Sequence, residues 1–132
     1  MKQTRLRPLA EADLVAAAQH YAQEGGMGLA ERMFDAALAA LKPIERMPAM
    51  GSPRLGQWCD IPGLRAWRVD GFPLQWLYFE ADDQLDVVRL LGDRQDIAAI
   101  LTADPSELNP PPAPDPPEYP VPPKRTGPRR GG

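Results

Sequence analysis

The chain has one cysteine and one histidine, and that shortage excludes a good deal of chemistry. A single thiol, Cys59, cannot form an intramolecular disulfide, which fits a reducing compartment. Cys59 has no neighbouring base or cation in sequence to activate it, and it reads as inert. The lone imidazole, His20, stands beside Tyr21 with no nucleophile or ligand set around it. No Cys/His cluster has metal-ligand spacing, and no glycine-rich phosphate loop follows a strand-like segment. No catalytic residue, metal or cofactor is therefore assigned. Long apolar runs are missing as well. Nothing approaches the length of a membrane span, and the opening MKQTRLRPLAEAD has no apolar signal-peptide core. The expectation is a cytoplasmic protein with no membrane partner.

An overall basic field is also absent, since the formal net charge is −3. Of the 15 lysines and arginines, four fall after Pro123, so the rest of the chain is more acidic still. Proline divides the chain in the same way: 11 of the 17 prolines lie from Pro105 onward. Residues 1–103 are the expected globular domain and residues 104–132 a disordered proline-rich tail. Within that tail, Pro120-Val121-Pro122-Pro123-Lys124-Arg125 has the spacing of a polyproline ligand with a basic end.

The patterning of residues 1–103 predicts an α+β fold in two layers. Residues 3–8 read as a short strand. Residues 9–23 are alanine-rich and helical, with Leu14, Ala17, Ala18 and Tyr21 on one apolar stripe. Gly25 and Gly26 end that helix. A second helix over 28–42 is expected to bury Ala30, Met33, Phe34, Ala37, Leu38 and Leu41. Pro43 should kink or stop it, with one more turn open to 44–47. The short glycine connection makes the pair an antiparallel hairpin. Residues 50–63 read as a loop. Strands over 64–69, 74–81 and 85–91, separated by Asp70-Gly71 and Asp82-Asp83, form an antiparallel meander. Asp93 is the expected N-cap of a last short helix over 94–101.

The meander strands are apolar on both faces. Leu74, Trp76 and Tyr78 point one way and Leu77 and Phe79 the other. A helical hairpin covers only one side, so the opposite face is expected to be open, apolar and available to a partner.

This order of elements resembles the RelE/ParE toxin superfamily of bacterial toxin–antitoxin systems. The resemblance rests on Ala30-Glu31-Arg32-Met33-Phe34-Asp35-Ala36, on Pro48-Ala49-Met50-Gly51 with Pro53-Arg54, on Gly63-Leu64-Arg65, and on Arg89-Leu90-Leu91 leading to Asp96-Ile97. It covers most of residues 1–101 and is closer to the ParE branch. It implies a small toxin neutralised by a cognate antitoxin and meeting DNA only through that antitoxin. The ParE branch implies a non-enzymatic inhibitor of DNA gyrase. The alternative is a RelE-type endoribonuclease that cuts mRNA on the ribosome, and a third reading is a degenerate, non-toxic member that still binds antitoxin. Gly92 stands where the ParE branch often has histidine. No tyrosine or histidine lies between Leu85 and Leu101, as a RelE-type site would want. Binding is thus favoured over catalysis.

RNA cleavage would need a base, an acid and cations on the phosphate. Arg65, Arg68 and Arg89 lie on predicted strands and are the candidate cations, with solvation or pairing to Asp70, Glu80 or Asp86 as the simpler expectation. Trp58, in the loop, is a candidate interface anchor. Trp67 and Trp76 lie on adjacent strands, where they could stack across the sheet. The candidate partner-binding set is Trp58, Arg65, Trp67, Trp76, Tyr78, Arg89, Arg94 and Asp96.

Overall fold

Proline and glycine place the first helices. Pro8, whose fixed φ suits a first helical turn, opens α1 (Pro8–Gly25) directly after β1 (Gln3–Leu6). Gly26, at φ 87°, is the single residue between α1 and α2 (Met27–Arg46). Its N–H closes α1 on the Ala22 carbonyl and its own carbonyl accepts from Ala30. A residue with a Cβ would be strained in that left-handed backbone. The computed structural model describes residues 2–103, so the proline-rich tail lies outside the described residues. A 3-10 turn (Pro48–Met50) and α3 (Arg54–Trp58) follow α2. Then come β2 (Arg65–Arg68), β3 (Leu74–Glu80), β4 (Gln84–Gly92) and α4 (Ile97–Ala103).

The four strands form one sheet in the order β1-β4-β3-β2. The meander is antiparallel as expected, and β1 joins β4 in parallel. Register shifts between Leu77 and Tyr78: Leu77 faces Arg89 but Tyr78 faces Val87, leaving Val88 as an extra residue. Val87 and Val88 enter different cores by ordinary alternation, and the bulge reverses the parity beyond them, so that Leu90 joins Leu85 and Val87 in one core and Leu91 joins Val88 in the other.

The hairpin covers one face. Met33, Ala37, Leu41 and Ile44 of α2 and Ala10 and Leu14 of α1 pack on Trp76, Tyr78, Leu85, Val87 and Leu90. One expectation for α2 fails here. Phe34 and Leu38 stay 39% and 38% exposed, because the 33-37-41-44 stripe meets the sheet and they sit to its side. The helix does not stop at Pro43, and 44–46 add the further turn. The last turn is held from outside itself: Ile44 is fully buried, the Lys2 N–H donates to the Glu45 carbonyl, and the Thr4 hydroxyl donates to the Glu45 carboxylate.

The opposite face corrects a larger expectation. It is not open. Leu64, Leu77, Phe79, Val88, Leu91 and Leu101 form a second buried core, lined further by Leu55, Cys59 and Ile61 and by Ile97 and Ile100. The segment read as a plain loop contains α3, and α3 and α4 together cover what a single hairpin could not. Gly56 permits the close approach of α3, since a Cβ there would lie 2.5 Å from the Leu64 carbonyl oxygen.

Candidate partner-binding surface

The eight candidates fall into distinct environments. Trp76 and Tyr78 are fully buried and offer nothing to a partner, so that assignment is corrected. Burial requires their polar atoms to be satisfied internally. The Trp76 indole N–H donates to the Ala37 carbonyl at 2.9 Å. Trp67, half-buried and paired with Trp76 across the sheet, donates to the Ala40 carbonyl at 2.8 Å. The two indoles therefore fasten β2 and β3 to successive turns of α2.

Tyr78 organises the Pro48-Ala49-Met50-Gly51 segment. Its hydroxyl donates to the Pro48 carbonyl and accepts from the Gly51 N–H at 3.0 Å. Burial raises the phenol above its usual pKa, while the Gly51 N–H and the Arg65 charge act in the opposite direction. Arg65 donates to the Gly51 and Ala49 carbonyls at 2.7 and 3.2 Å. Gly51 has no room for a side chain, because a Cβ would lie 2.3 Å from the tyrosine oxygen. This motif is thus a structural junction between α2 and β2.

Arg89 and Arg68, the other two arginines of the meander, are paired, with partners other than those expected. Arg89 forms a two-point ion pair with Asp13 of α1, at 2.7 and 3.0 Å. The same carboxylate accepts the Leu90 N–H at 3.0 Å. β1 runs alongside β4 only as far as Val87, so the side chain of Asp13 serves the edge where the parallel strand ends. Arg68 grips Asp93 at 2.8 and 3.1 Å. That hydrogen bond holds the Asp93 carboxyl below its usual pKa and raises that of Arg68. Asp86, expected near the strand arginines, instead takes Arg7 at 2.7 and 2.9 Å, and that guanidinium also lies over the Phe79 ring.

Asp93 is consequently not the cap of the last helix. The Asp96 carboxylate accepts the Ala99 N–H at 3.1 Å, which starts α4 three residues later than expected. Gln95 accepts the Gly92 N–H through its side chain and shapes the intervening turn. Arg94 is exposed in that turn.

Sequence reasoning missed Arg7 and Asp13, and gave Asp86 the wrong cation. That Asp86 needs one was legible: it interrupts an otherwise apolar Leu85-Val87-Val88 run, and a charge there needs a partner.

The exposed apolar residues sit elsewhere than the sheet face. Val15, Met27, Phe34 and Leu38 lie on the hairpin, and Met27, Phe34, Ala18, Ala30, Glu31 and Asp35 line a shallow depression between its helices. Met47 and Met50 flank the junction, and Trp58 at the end of α3 is 82% exposed. Among the described residues no group of three or more His, Cys, Asp or Glu could hold a metal ion, and no helix is long and apolar enough to cross a membrane.

Comparison with known proteins agrees with this architecture. No curated protein matches the chain. A solved structure described as the chromosomal ParDE TA system from P. aeruginosa shares the fold at a TM-score of 0.61 and 20% identity, covering 70% of this chain and 96% of that one. Residues 4–97 match the family described as the ParE toxin of type II toxin-antitoxin system, parDE. The chain belongs to the ParE toxin family.

Proposed function

We propose that this protein is held inactive in the cytoplasm by a cognate antitoxin and, when released, inhibits DNA gyrase by binding it. Family membership over residues 4–97 is the observation that carries this reading. The arginines support binding over cleavage. Arg65 is bound to backbone carbonyls, while Arg68 and Arg89 are clasped by carboxylates on different elements. These three cations do not converge on a common point where a phosphate could be stabilised, as RNA cleavage requires.

The antitoxin's place is the hairpin rather than the sheet. Val15, Met27, Phe34 and Leu38 supply exposed apolar area, and Glu31 and Asp35 border it. An amphipathic segment with an apolar face and flanking lysines or arginines fits that surface. Contact with DNA is then indirect, through the antitoxin.

Induced expression without the small neighbouring reading frame should stop growth, and co-expression should restore it. The purified chain should inhibit supercoiling by gyrase, and cells should mount a DNA-damage response. Rapid ribosome-dependent mRNA loss with supercoiling intact would overturn the gyrase reading. Unimpaired growth would identify a non-toxic member that retains only antitoxin binding.

A further inference from the structure

Two surfaces on opposite sides of the sheet are chemically complementary, and the fold needs neither. The first is the outer side of α3. Leu55 and Cys59, four residues apart, turn inward against the second core. The same spacing brings Arg54 and Trp58 together on the solvent side, both exposed. Arg54 has no ion pair among the described residues. Tryptophan and arginine are among the residue types most enriched as anchors of protein–protein contacts. The second surface is the depression on the hairpin. Met27 and Phe34 give it apolar walls, and Glu31 and Asp35, one turn apart on α2, give it an acidic rim. Both carboxylates are exposed and without an ion pair among the described residues. An indole with a guanidinium one turn away thus matches an apolar hollow bordered by two carboxylates.

We propose that these surfaces meet between copies of the chain: Trp58 of one copy enters the hairpin depression of the next, and its Arg54 pairs with Glu31 or Asp35 there. Within one chain they cannot meet, because the hairpin packs on one face of the sheet and α3 on the other. For the same reason the contact is heterologous. It joins copies head to tail, and a pair still has one depression and one Trp58 free to add another copy. Charge favours this occupant. At a net −3 the copies repel one another at large, so they associate only where opposite charges are brought face to face. A single aromatic anchor makes a small interface of the transient class, so the assembly forms at high concentration and dissolves on dilution. The contact does not depend on gyrase being the target. A copy seated on the hairpin also stands where the antitoxin is placed, and that competition, unlike the contact itself, rests on the antitoxin's seat.

Sedimentation velocity of the purified full-length chain over a concentration series tests the contact. The weight-average mass should climb above the 14.5 kDa of one chain and should not level off at two copies. Trp58→Ala removes the anchor and Phe34→Asp spoils the depression, and each variant alone should stay at the mass of one chain. Both side chains are exposed, so neither change strips the core. Mixed in equal amounts, the two variants should associate again, because one keeps the depression and the other keeps Trp58, and growth should stop at two chains. Charge supplies a second set of variants. Arg54→Glu alone, or Glu31→Lys with Asp35→Lys, should abolish association, and all three changes in one chain should restore it. A parent chain that stays single at every concentration would overturn the proposal. So would a mixture of Trp58→Ala and Phe34→Asp that fails to associate, or either variant alone associating as the parent does, which would mean that copies meet through other surfaces.

Discussion

The two faces of the sheet are buried by different means. The hairpin side is covered by helices of 18 and 20 residues joined through one glycine. The other side is covered by helices of 5 and 7 residues. Isolated helices shorter than about 12–15 residues are marginal in water, so α3 and α4 exist only because the sheet holds them. Even the hairpin leans on the sheet, through two indole hydrogen bonds and the Asp13 carboxylate. The contrast is between a framework and a cover. Segments with few anchors open first, so the cover is where local opening is expected.

That contrast can be broken by mutation, and the hairpin side should respond most. Trp76→Ala removes the largest buried side chain between α2 and β3 and should cost about 3–5 kcal/mol in urea denaturation. A loss below about 1 kcal/mol would show that the hairpin is not the framework. Asp13→Ala comes next. It strips Arg89 of its carboxylate and leaves the Leu90 N–H without its acceptor, for a loss of about 2–3 kcal/mol.

Leu101→Ala should cost about 2 kcal/mol, the low end for a buried leucine, because α4 can lift away as a unit instead of unfolding the domain. Hydrogen exchange should then show α4 amides exchanging before those of α2. Equal acceleration in both helices would mean that the two faces form one cooperative unit.

The smallest effect belongs to the exposed Arg68–Asp93 pair, which ties β2 to the turn before α4. The Asp93 carboxyl is lowered in the folded state, chiefly by its hydrogen bond to Arg68. Its contribution is therefore present at neutral pH. It fades as the pH falls below the ordinary carboxylate value of 3.8 and through the lower folded value. Stability curves of the parent and of Arg68→Ala should converge in acid and lie closest at high salt.

The legible parts of this fold were those set by local pattern. Gly26 between two alanine-rich stripes, Asp70-Gly71 between apolar runs and the alternation of Leu74 to Phe79 gave the hairpin and the meander within a few residues. What escaped was tertiary. Nothing local tells Asp93 from Asp96 as a helix cap until Arg68 is known to occupy the first. The open sheet face was a reasonable deduction from one hairpin and two apolar faces. It failed because a segment dense in proline and glycine still forms a short helix once Gly56 lets it sit against Leu64. For the candidate surface, exposure of Trp58 was legible from its loop composition. Burial of Trp76 and Tyr78 was not, since period-two alternation says which face a residue takes and not what covers it.

The parallel pairing of β1 with β4 has a consequence in time. Arg7 waits for Asp86, 79 residues later, and Asp13 for Arg89, 76 residues later. At about 5–20 residues per second, roughly 4–15 s of synthesis separate α1 from the strand that completes its sheet. During that interval the helices emerge without Trp76 or Tyr78 to bury their inner face. A binding protein already present in the cell would meet the hairpin while its inner face is still uncovered, before the finished sheet exists.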